Sequence, residues 1–148
     1  MKNKILLIED DYTLSTIISE TLTDEGFDVV TAKNGIDGLE AFVNNSPELV
    51  ISDIMMPRMD GFNLGKHIRS INPKIPLIFL TALSSIKDIE TGFDIGADDY
   101  IKKPFKMREL ILRIKALIKR SYPDKTEEEN TEARYMNIGK FVFDTIGN

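Results

Sequence analysis

Five short apolar runs, each followed by a segment with helical spacing, constrain the fold of this chain more than any other feature. In the third run, residues 49–52, three apolar side chains follow one another without the polar alternation of a half-exposed strand. A strand of this kind is covered on both faces, which is typical of a parallel sheet. The runs occupy residues 5–8, 29–32, 49–52, 77–80 and 98–101.

The segments between the runs carry apolar residues three or four positions apart, as an amphipathic helix does. Gly26 and Pro73 follow the first and third segments, where helices are expected to stop. The fourth segment, roughly 85–94, is the least regular, and Gly92 weakens it as a helix. The apolar positions of the five segments are Leu14, Ile17, Ile18 and Leu22; Ile36, Leu39, Phe42 and Val43; Phe62, Leu64, Ile68 and Ile71; Ile86, Ile89 and Phe93; and Met107, Leu110, Ile111, Ile114, Leu117 and Ile118.

This alternation predicts an α/β fold, a doubly wound (βα)5 arrangement around a five-stranded parallel sheet. Such sheets usually have the strand order 2-1-3-4-5 of flavodoxin-like folds. Ligands bind them at the carboxyl ends of the strands, beside the switch point between strands 1 and 3. We therefore expect the functional site at the ends of those two strands.

Composition excludes several classes of protein. The 148 residues contain no cysteine, so disulfides and thiolate metal sites are absent. No apolar run approaches the roughly 20 residues of a membrane span, and the N-terminus lacks the apolar region of a signal peptide. The net charge of −5 argues against a broad nucleic-acid surface on this chain. We expect a cytoplasmic protein without membrane contact.

The character of the chain changes after residue 121. Residues 122–134 are polar and acidic, which predicts a linker between domains. A strand-like pattern resumes within residues 135–148, and one strand by itself has no partner and no core. We therefore expect a domain at residues 1–121, a linker at 122–134 and the first strand of a truncated second domain at 135–148.

Reactive side chains follow four of the predicted strands. Glu9 and Asp10 come after the first strand, Asp53 after the third, Thr81 after the fourth and Lys103 after the fifth. One acidic pair after a strand usually belongs to a turn or caps a helix. We expect Asp11, the next residue in the chain, to be such a cap. The joint arrival of these groups at one sheet edge instead indicates a reactive site.

The predicted chemistry follows from the kinds of side chain present. Clustered carboxylates repel one another unless a cation lies among them, and oxygen ligands without His or Cys suit Mg²⁺. A carboxylate beside Mg²⁺ can attack a phosphoryl group to give an aspartyl phosphate. An ammonium and a hydroxyl would then stabilise the charge on the phosphoryl oxygens.

The chain resembles the receiver domains of bacterial two-component response regulators over about residues 3–121. The resemblance implies that Asp53 accepts a phosphoryl group from a sensor histidine kinase. It also implies that Glu9, Asp10, Asp53 and the backbone carbonyl of Met55 hold Mg²⁺, that Thr81 and Lys103 contact the phosphoryl group, and that the bond from Lys103 to Pro104 is cis. The matching motifs are Ile5-Leu6-Leu7-Ile8-Glu9-Asp10-Asp11, Asp53-Ile54-Met55-Met56-Pro57-Arg58-Met59-Asp60-Gly61, Leu80-Thr81-Ala82 and Gly96-Ala97-Asp98-Asp99-Tyr100-Ile101-Lys102-Lys103-Pro104-Phe105.

The segment from residue 96 to residue 120 resembles the OmpR/PhoB subfamily in particular. That resemblance implies a switch in which Tyr100 moves inward as the Thr81 hydroxyl approaches the phosphoryl group. It also implies a homodimer through helix 4, strand 5 and helix 5, with ion pairs between the subunits. The alternative is that the charged residues of these elements only form a solvated helix face. The basic residue usually opposite Glu109 is replaced here by Ile89. The expected interface residues are Ile89, Asp94, Asp99, Glu109, Arg113 and Lys115.

The function implied is that of a phosphorylation-controlled switch that catalyses no reaction besides its own phosphorylation and dephosphorylation. Residues 135–144 resemble the opening strand of a winged-helix DNA-binding domain, which implies control of transcription by the full protein. An enzymatic or protein-binding output is the alternative. An aspartyl phosphatase would need a second carboxylate where Met55 stands, and a flavin module would need a Ser/Thr-rich phosphate loop. Met55 and Leu83 are expected to flank the phosphoryl group and hinder water, whereas His67 is expected on the surface of helix 3.

Overall fold

The computed structural model of the chain describes residues 2–123 and has the predicted architecture. Five parallel strands lie in the order β2-β1-β3-β4-β5, which confirms the predicted topology. The expected strand at 135–148, and the expected linker beyond its first two residues, lie outside the described residues. The elements are β1 (Lys4–Ile8), α1 (Tyr12–Asp24), β2 (Asp28–Ala32), α2 (Gly35–Asn45), β3 (Leu49–Ser52), α3 (Gly61–Ile71), β4 (Leu77–Thr81), α4 (Ile86–Ile95), β5 (Asp99–Lys102) and α5 (Met107–Ser121).

The sheet separates two apolar layers. Successive side chains of a strand point to opposite faces, so Ile5 and Leu7 of β1 enter one layer and Leu6 and Ile8 the other. Helices α1 and α5 cover the first layer, and α2 and α3 contribute to the second. Every residue of β3 is buried, as the unbroken apolar run predicted. Among the described helices, none combines the length and apolar character needed to cross a membrane.

Four helices begin with a side chain that accepts a hydrogen bond from the backbone amide three residues on. The capping residues are Asp11, Asn34, Asp60 and Ser85, and Asp11 thus has the capping role expected of it. These caps follow the carboxyl ends of the first four strands. They therefore define the path of the loops in which the candidate site residues lie.

The apolar pattern of the helices overstated their burial. Ile17, Val43 and Ile71 lie on outward faces of their helices. The apolar stripe expected on α4 departs most from the prediction, because Ile86 is 74% exposed and Phe93 is also exposed. The buried residue of α4 is Gly92. This helix packs through its backbone at a glycine, which a pattern of apolar side chains does not reveal.

The side chain of Arg69 in α3 holds the C-terminal end of α4 in place through hydrogen bonds. Its guanidinium donates to the carbonyl of Gly96 at 2.7 and 3.1 Å, and to the carbonyls of Asn72 and Ile75. It also pairs with Asp98, whose Oδ2 lies 3.2 Å away. This side chain is mostly buried, so its hydrogen bonds hold the C-terminal end of α4 against α3 and the start of β4.

Candidate phosphoacceptor site

Glu9, Asp53 and Lys103 meet at the carboxyl edge of the sheet. The Nζ of Lys103 lies 2.8 Å from Oδ2 of Asp53 and 2.9 Å from Oε1 of Glu9. Both carboxylates are buried, and the side chain of Lys103 is 20% exposed. The peptide bond from Lys103 to Pro104 is cis, as the family resemblance implied. The structure thus brings together three of the residues selected from the sequence.

Strand pairing explains why groups from distant parts of the chain meet here. The amide of Asp53 donates to the carbonyl of Ile8 at 3.0 Å, so Asp53 lies beside the end of β1. In the same way the amide of Lys103 donates to the carbonyl of Thr81 at 2.8 Å. Residues directly beyond paired parallel strands are therefore neighbours, however far apart they are in the sequence.

Backbone amides complete the surroundings of the two buried carboxylates. Oδ1 of Asp53 accepts from the amides of Ile54 at 2.6 Å and Met55 at 3.3 Å, and Oε2 of Glu9 accepts from the amide of Asp11 at 3.1 Å. Each carboxylate thus has both oxygens engaged. The satisfied hydrogen bonds offset part of the cost of burying charge.

Gly61 permits the tight loop after Asp53. A Cβ at this position would overlap the carbonyl oxygen of Asp53 and would lie 2.7 Å from the Cα of Ile54. The amide of Gly61 also donates to the carbonyl of Ile54 at 2.8 Å. The Asp-Gly pair at residues 60–61 is a turn signal in the sequence, but it does not reveal the close approach to Asp53.

Burial and charge act in opposite directions on the ionisable groups of the site. Burial raises the pKa of the Glu9 carboxyl above its ordinary value, and the hydrogen bond from Lys103 offsets this only in part. Burial also acts to lower the pKa of the Lys103 ammonium. Its hydrogen bonds to Asp53 and Glu9 outweigh that effect, so the pKa of Lys103 lies above its ordinary value.

The donor set suits a hard divalent cation. Carboxylate oxygens of Glu9, Asp10 and Asp53 lie within 4.8 Å of one another. The ammonium of Lys103 balances one of these three carboxylates, and a divalent cation would balance the other two. Oxygen ligands from carboxylates are those that Mg²⁺ prefers. The metal role of the Met55 carbonyl stays a prediction.

Thr81 and Tyr100, the expected switch pair, both bond to the backbone of Leu83. Thr81 is fully buried, and its Oγ1 accepts from the amide of Leu83 at 3.3 Å. The hydroxyl of Tyr100 donates to the carbonyl of Leu83 at 2.7 Å. The ring of Tyr100 packs against Phe79 and Phe93 at centroid distances of 6.4 Å. Burial, followed by the charges of two aspartates, raises the pKa of Tyr100 to about 12.

A groove of about 570 Å³ opens beside the acidic cluster. Asp10 lines it together with Met55 and Leu83, the two apolar residues expected to flank a phosphoryl group. The side chain of Met55 is exposed and that of Leu83 is half-buried. The remaining lining residues, which were not selected from the sequence, are Ile54, Met56, Pro57, Asp60 and Phe62.

The expected interface charges are largely paired within the chain. Arg113 contacts Asp99 at 2.9 Å and Glu109, one turn earlier, at 3.1 Å. Lys115 contacts Glu25 at the end of α1 at 2.8 Å, a partner that the sequence did not suggest because it lies 90 positions away. Ile89 is half-buried and Asp94 is exposed on α4. His67 is exposed on α3, as predicted.

Comparison with known proteins agrees with this geometry. The family model for the response regulator receiver domain matches residues 5–115. The transcriptional regulatory protein RprY of Bacteroides fragilis is 45% identical over 144 residues, which cover 97% of this chain and 59% of RprY. The response regulator MprA of Mycobacterium leprae is 37% identical over 125 residues, covering 84% of this chain and 55% of MprA.

Solved receiver domains have the same fold. The receiver domain of the Francisella response regulator 1452 superposes with a TM-score of 0.77 at 35% identity, covering 80% of this chain and 98% of that one. The HemR receiver domain from Leptospira biflexa gives a TM-score of 0.78 at 32% identity, covering 83% and 99%. The chain spans somewhat less than two thirds of the curated relatives named above. This chain belongs to the response regulator receiver domain family, and its relatives include OmpR/PhoB-type transcriptional regulators.

Proposed function

We propose that Asp53 is the phosphoacceptor of this receiver domain. The observation that carries the proposal is the contact of its carboxylate with Lys103, beside Glu9, at the carboxyl edge of the sheet. A carboxylate oxygen of Asp53 forms a bond to phosphorus while the bond from phosphorus to the donor nitrogen of a phosphohistidine breaks. The electron pair of the broken bond stays on that nitrogen. The product is an aspartyl phosphate, and the donor belongs to a sensor histidine kinase.

The carboxylates of Glu9, Asp10 and Asp53, with the carbonyl of Met55, would hold Mg²⁺ in this proposal. The ion would neutralise negative charge on the phosphoryl oxygens. The part played by the chain itself is positional. Lys103 places a positive charge within hydrogen-bonding distance of the acceptor, and the amides of Ile54 and Met55 orient the carboxylate.

The signal leaves the site through the backbone of Leu83. When the Thr81 hydroxyl turns toward a phosphoryl oxygen, it gives up its hydrogen bond from the Leu83 amide. The carbonyl of the same residue accepts the Tyr100 hydroxyl, so a movement of the loop after β4 changes the position of that ring. Tyr100 packs on α4 and lies in β5, and these elements form the surface that we expect to change.

We infer that the changed surface is a homodimer interface formed by α4, β5 and α5. Its centre would be the exposed apolar residues of α4, with Ile89 beside them. Cross-subunit ion pairs would come from the remaining expected residues, Asp94, Asp99, Glu109, Arg113 and Lys115. Arg113 and Lys115 must share or exchange their present intramolecular partners to form such pairs.

The output proposed for the whole protein is control of transcription in the cytoplasm through a DNA-binding domain. The chain aligns over 97% of its length with a transcriptional regulatory protein, which supports DNA as the final target over an enzymatic or protein-binding output. We assign residues 1–121 to the receiver, 122–134 to a linker and 135–148 to the start of the output domain.

Incubation with a small phosphodonor and Mg²⁺, followed by intact-mass measurement, tests the central proposal. We expect the mass to increase by one phosphoryl group in the wild type and not in Asp53→Asn. Asp28→Asn, which changes an exposed aspartate of β2, is the matched control and should be labelled like the wild type. An unlabelled wild type, or equal labelling of Asp53→Asn, would refute the assignment.

A further inference from the structure

Gly92 lies in the interior of α4 with no conformational reason to be glycine. It is buried, and it is not among the glycines of the described chain that have a positive φ. Glycine destabilises the interior of a helix relative to alanine, because it loses more backbone freedom on folding. The reason for a glycine here must therefore be the space around it.

That space is filled by Tyr100. A Cβ on Gly92 would lie 2.9 Å from Cδ2 of Tyr100, 3.1 Å from its Cε2 and 3.2 Å from Cδ2 of Phe79. Carbon atoms in favourable contact are roughly 3.5–4.0 Å apart, so a methyl group at this position overlaps the ring. We propose that Gly92 is a positioning residue that sets the placement of Tyr100 seen here, with its ring against Phe79 and its hydroxyl on the carbonyl of Leu83. This inference rests on the proposed function, in which Tyr100 is the switch residue that carries the movement of the loop after β4 to the surface of α4 and β5.

The Tyr100 ring lies between Phe79 and helix α4, and neither of these can move easily to make room for an added methyl group. Phe79 is fully buried and packs edge-on against both Phe62 and Tyr100. Helix α4 is held at its far end by the hydrogen bonds from Arg69 to the carbonyl of Gly96. The remaining movement available is rotation of the Tyr100 ring outward, which lengthens its hydrogen bond to the carbonyl of Leu83.

Gly92→Ala should therefore favour the outward position of Tyr100 while leaving the acceptor chemistry intact. Gly92 belongs to a helix interior and contacts none of the carboxylates of the site among its nearest neighbours. Phosphorylation of Asp53 should proceed as in the wild type. What should be lost is the coupling between that phosphorylation and the α4-β5-α5 surface, because the loop after β4 no longer holds the tyrosine.

Fluorine NMR of the chain labelled with 3-fluorotyrosine tests the proposal without any phosphorylation. The Tyr100 resonance is assigned by its disappearance in Tyr100→Phe. In Gly92→Ala we expect it to move toward the position of a solvent-exposed fluorotyrosine. Gly65→Ala is the matched control, because its added Cβ would crowd Phe79 and Ile95 at 3.1 and 3.2 Å in another helix interior without meeting Tyr100. An unchanged Tyr100 resonance in Gly92→Ala would overturn the proposal.

Dimer affinity with and without phosphodonor then tests the consequence for the switch. We expect the phosphorylation-dependent gain in affinity to fall by about fivefold or more in Gly92→Ala, the lower end of typical coupling between sites. An undiminished gain, despite a displaced resonance, would overturn the positioning role. If wild-type Asp53 is not labelled at all, the proposed function fails, while the fluorine measurement still decides where Tyr100 lies.

A double substitution keeps the proposal testable if Gly92→Ala folds poorly. Removing the ring in Tyr100→Ala removes the two shortest contacts of the added methyl group and gives Phe79 room to move away from the third. Adding Gly92→Ala to that variant should therefore raise the midpoint of thermal unfolding. The reason is the higher helix propensity of alanine. A lower midpoint in the double variant than in Tyr100→Ala would show that the ring is not what requires glycine, and would overturn the inference.

Discussion

The ammonium of Lys103 lies 2.8 Å from Oδ2 of Asp53, although 50 positions separate the two residues in the chain. It also bonds to Glu9, so one cation is shared by two buried carboxylates. This arrangement has a consequence for stability as well as for chemistry. Removing the cation leaves two like charges close together in a buried environment.

Lys103→Met should lower the free energy of unfolding by about 3 kcal/mol at pH 7 without Mg²⁺, as expected when one partner of a buried pair is removed. The loss should be smaller at pH 5. Burial already raises the pKa of Glu9, and without Lys103 the contacts that oppose this rise are gone, so Glu9 takes up a proton more readily. Denaturant unfolding at both pH values measures the effect.

The neighbouring lysine provides the control for that experiment. Lys102→Met changes an exposed side chain and should alter the free energy of unfolding by about 0.5 kcal/mol or less. Equal losses in the two variants, or a loss in Lys103→Met that grows on acidification, would contradict the shared ion pair.

The hydroxyl of Tyr100 should lose its proton at a higher pH than a free phenol does. Its folded-state pKa of about 12 exceeds the ordinary value of 10.0, because burial disfavours the phenolate. The neutral form is therefore favoured by folding. Its contribution to stability is fully present below about pH 10 and is lost as the pH rises toward about 12.

Alkaline titration followed by phenolate absorbance checks this expectation. Tyr100→Phe should remove a step near pH 12, whereas Tyr12→Phe, which removes a highly exposed tyrosine, should leave that step in place. Loss of the step in Tyr12→Phe, or its persistence in Tyr100→Phe, would show that Tyr100 is not the phenol that titrates near pH 12.

The aspartyl phosphate should persist for minutes or longer. Met55 and Leu83 line the groove beside the acidic cluster, and neither offers a group that could activate water. Met55→Glu should shorten the lifetime of the aspartyl phosphate by on the order of tenfold. This factor is smaller than that of full general-base catalysis, because the side chain at position 55 is exposed. Loss of label over time by intact mass gives the rate.

Met55→Leu is the matched control for the lifetime, because it keeps an apolar side chain of similar size at the same place. Its phosphoryl group should be lost at the wild-type rate. A wild-type lifetime of seconds, or equal rates in Met55→Glu and Met55→Leu, would count against the role of apolar flanks.

The exposed apolar face of α4 should control assembly. Ile86→Asp introduces a charge at a residue that is 74% exposed, so the free energy of unfolding should change by about 0.5 kcal/mol or less. The same charge at the centre of the proposed dimer should abolish the gain in affinity that phosphorylation brings. Sedimentation velocity with and without phosphodonor measures both states.

Val43→Asp makes the corresponding change on the exposed face of α2, outside the proposed interface. It should dimerise like the wild type. Undiminished dimerisation of phosphorylated Ile86→Asp would exclude the α4 face, and equal losses in both variants would indicate a nonspecific effect of charge.

Most of the site could be predicted from the sequence because parallel strands deliver the residues at their carboxyl ends to one edge. That rule sufficed to group Glu9, Asp53, Thr81 and Lys103 without knowledge of a single distance. It could not identify the amides of Ile54 and Met55 as donors, because backbone groups carry no sequence signal of their own.

The sequence by itself predicted the strand order and placed the candidate reactive groups at one sheet edge. The alternation of strand and helix patterns indicates a doubly wound parallel sheet, and the usual order of such a sheet brings those strand ends together. Only the tertiary structure decided which charges pair and which helix faces remain exposed. The contact of Lys115 with Glu25 and the exposure of Ile86 and Phe93 on α4 both depend on how separate elements pack, which the local pattern of residues does not reveal. Gly92 shows the difference most clearly: along the chain it is a weak point in a helix, and in the fold it is the space that Tyr100 requires.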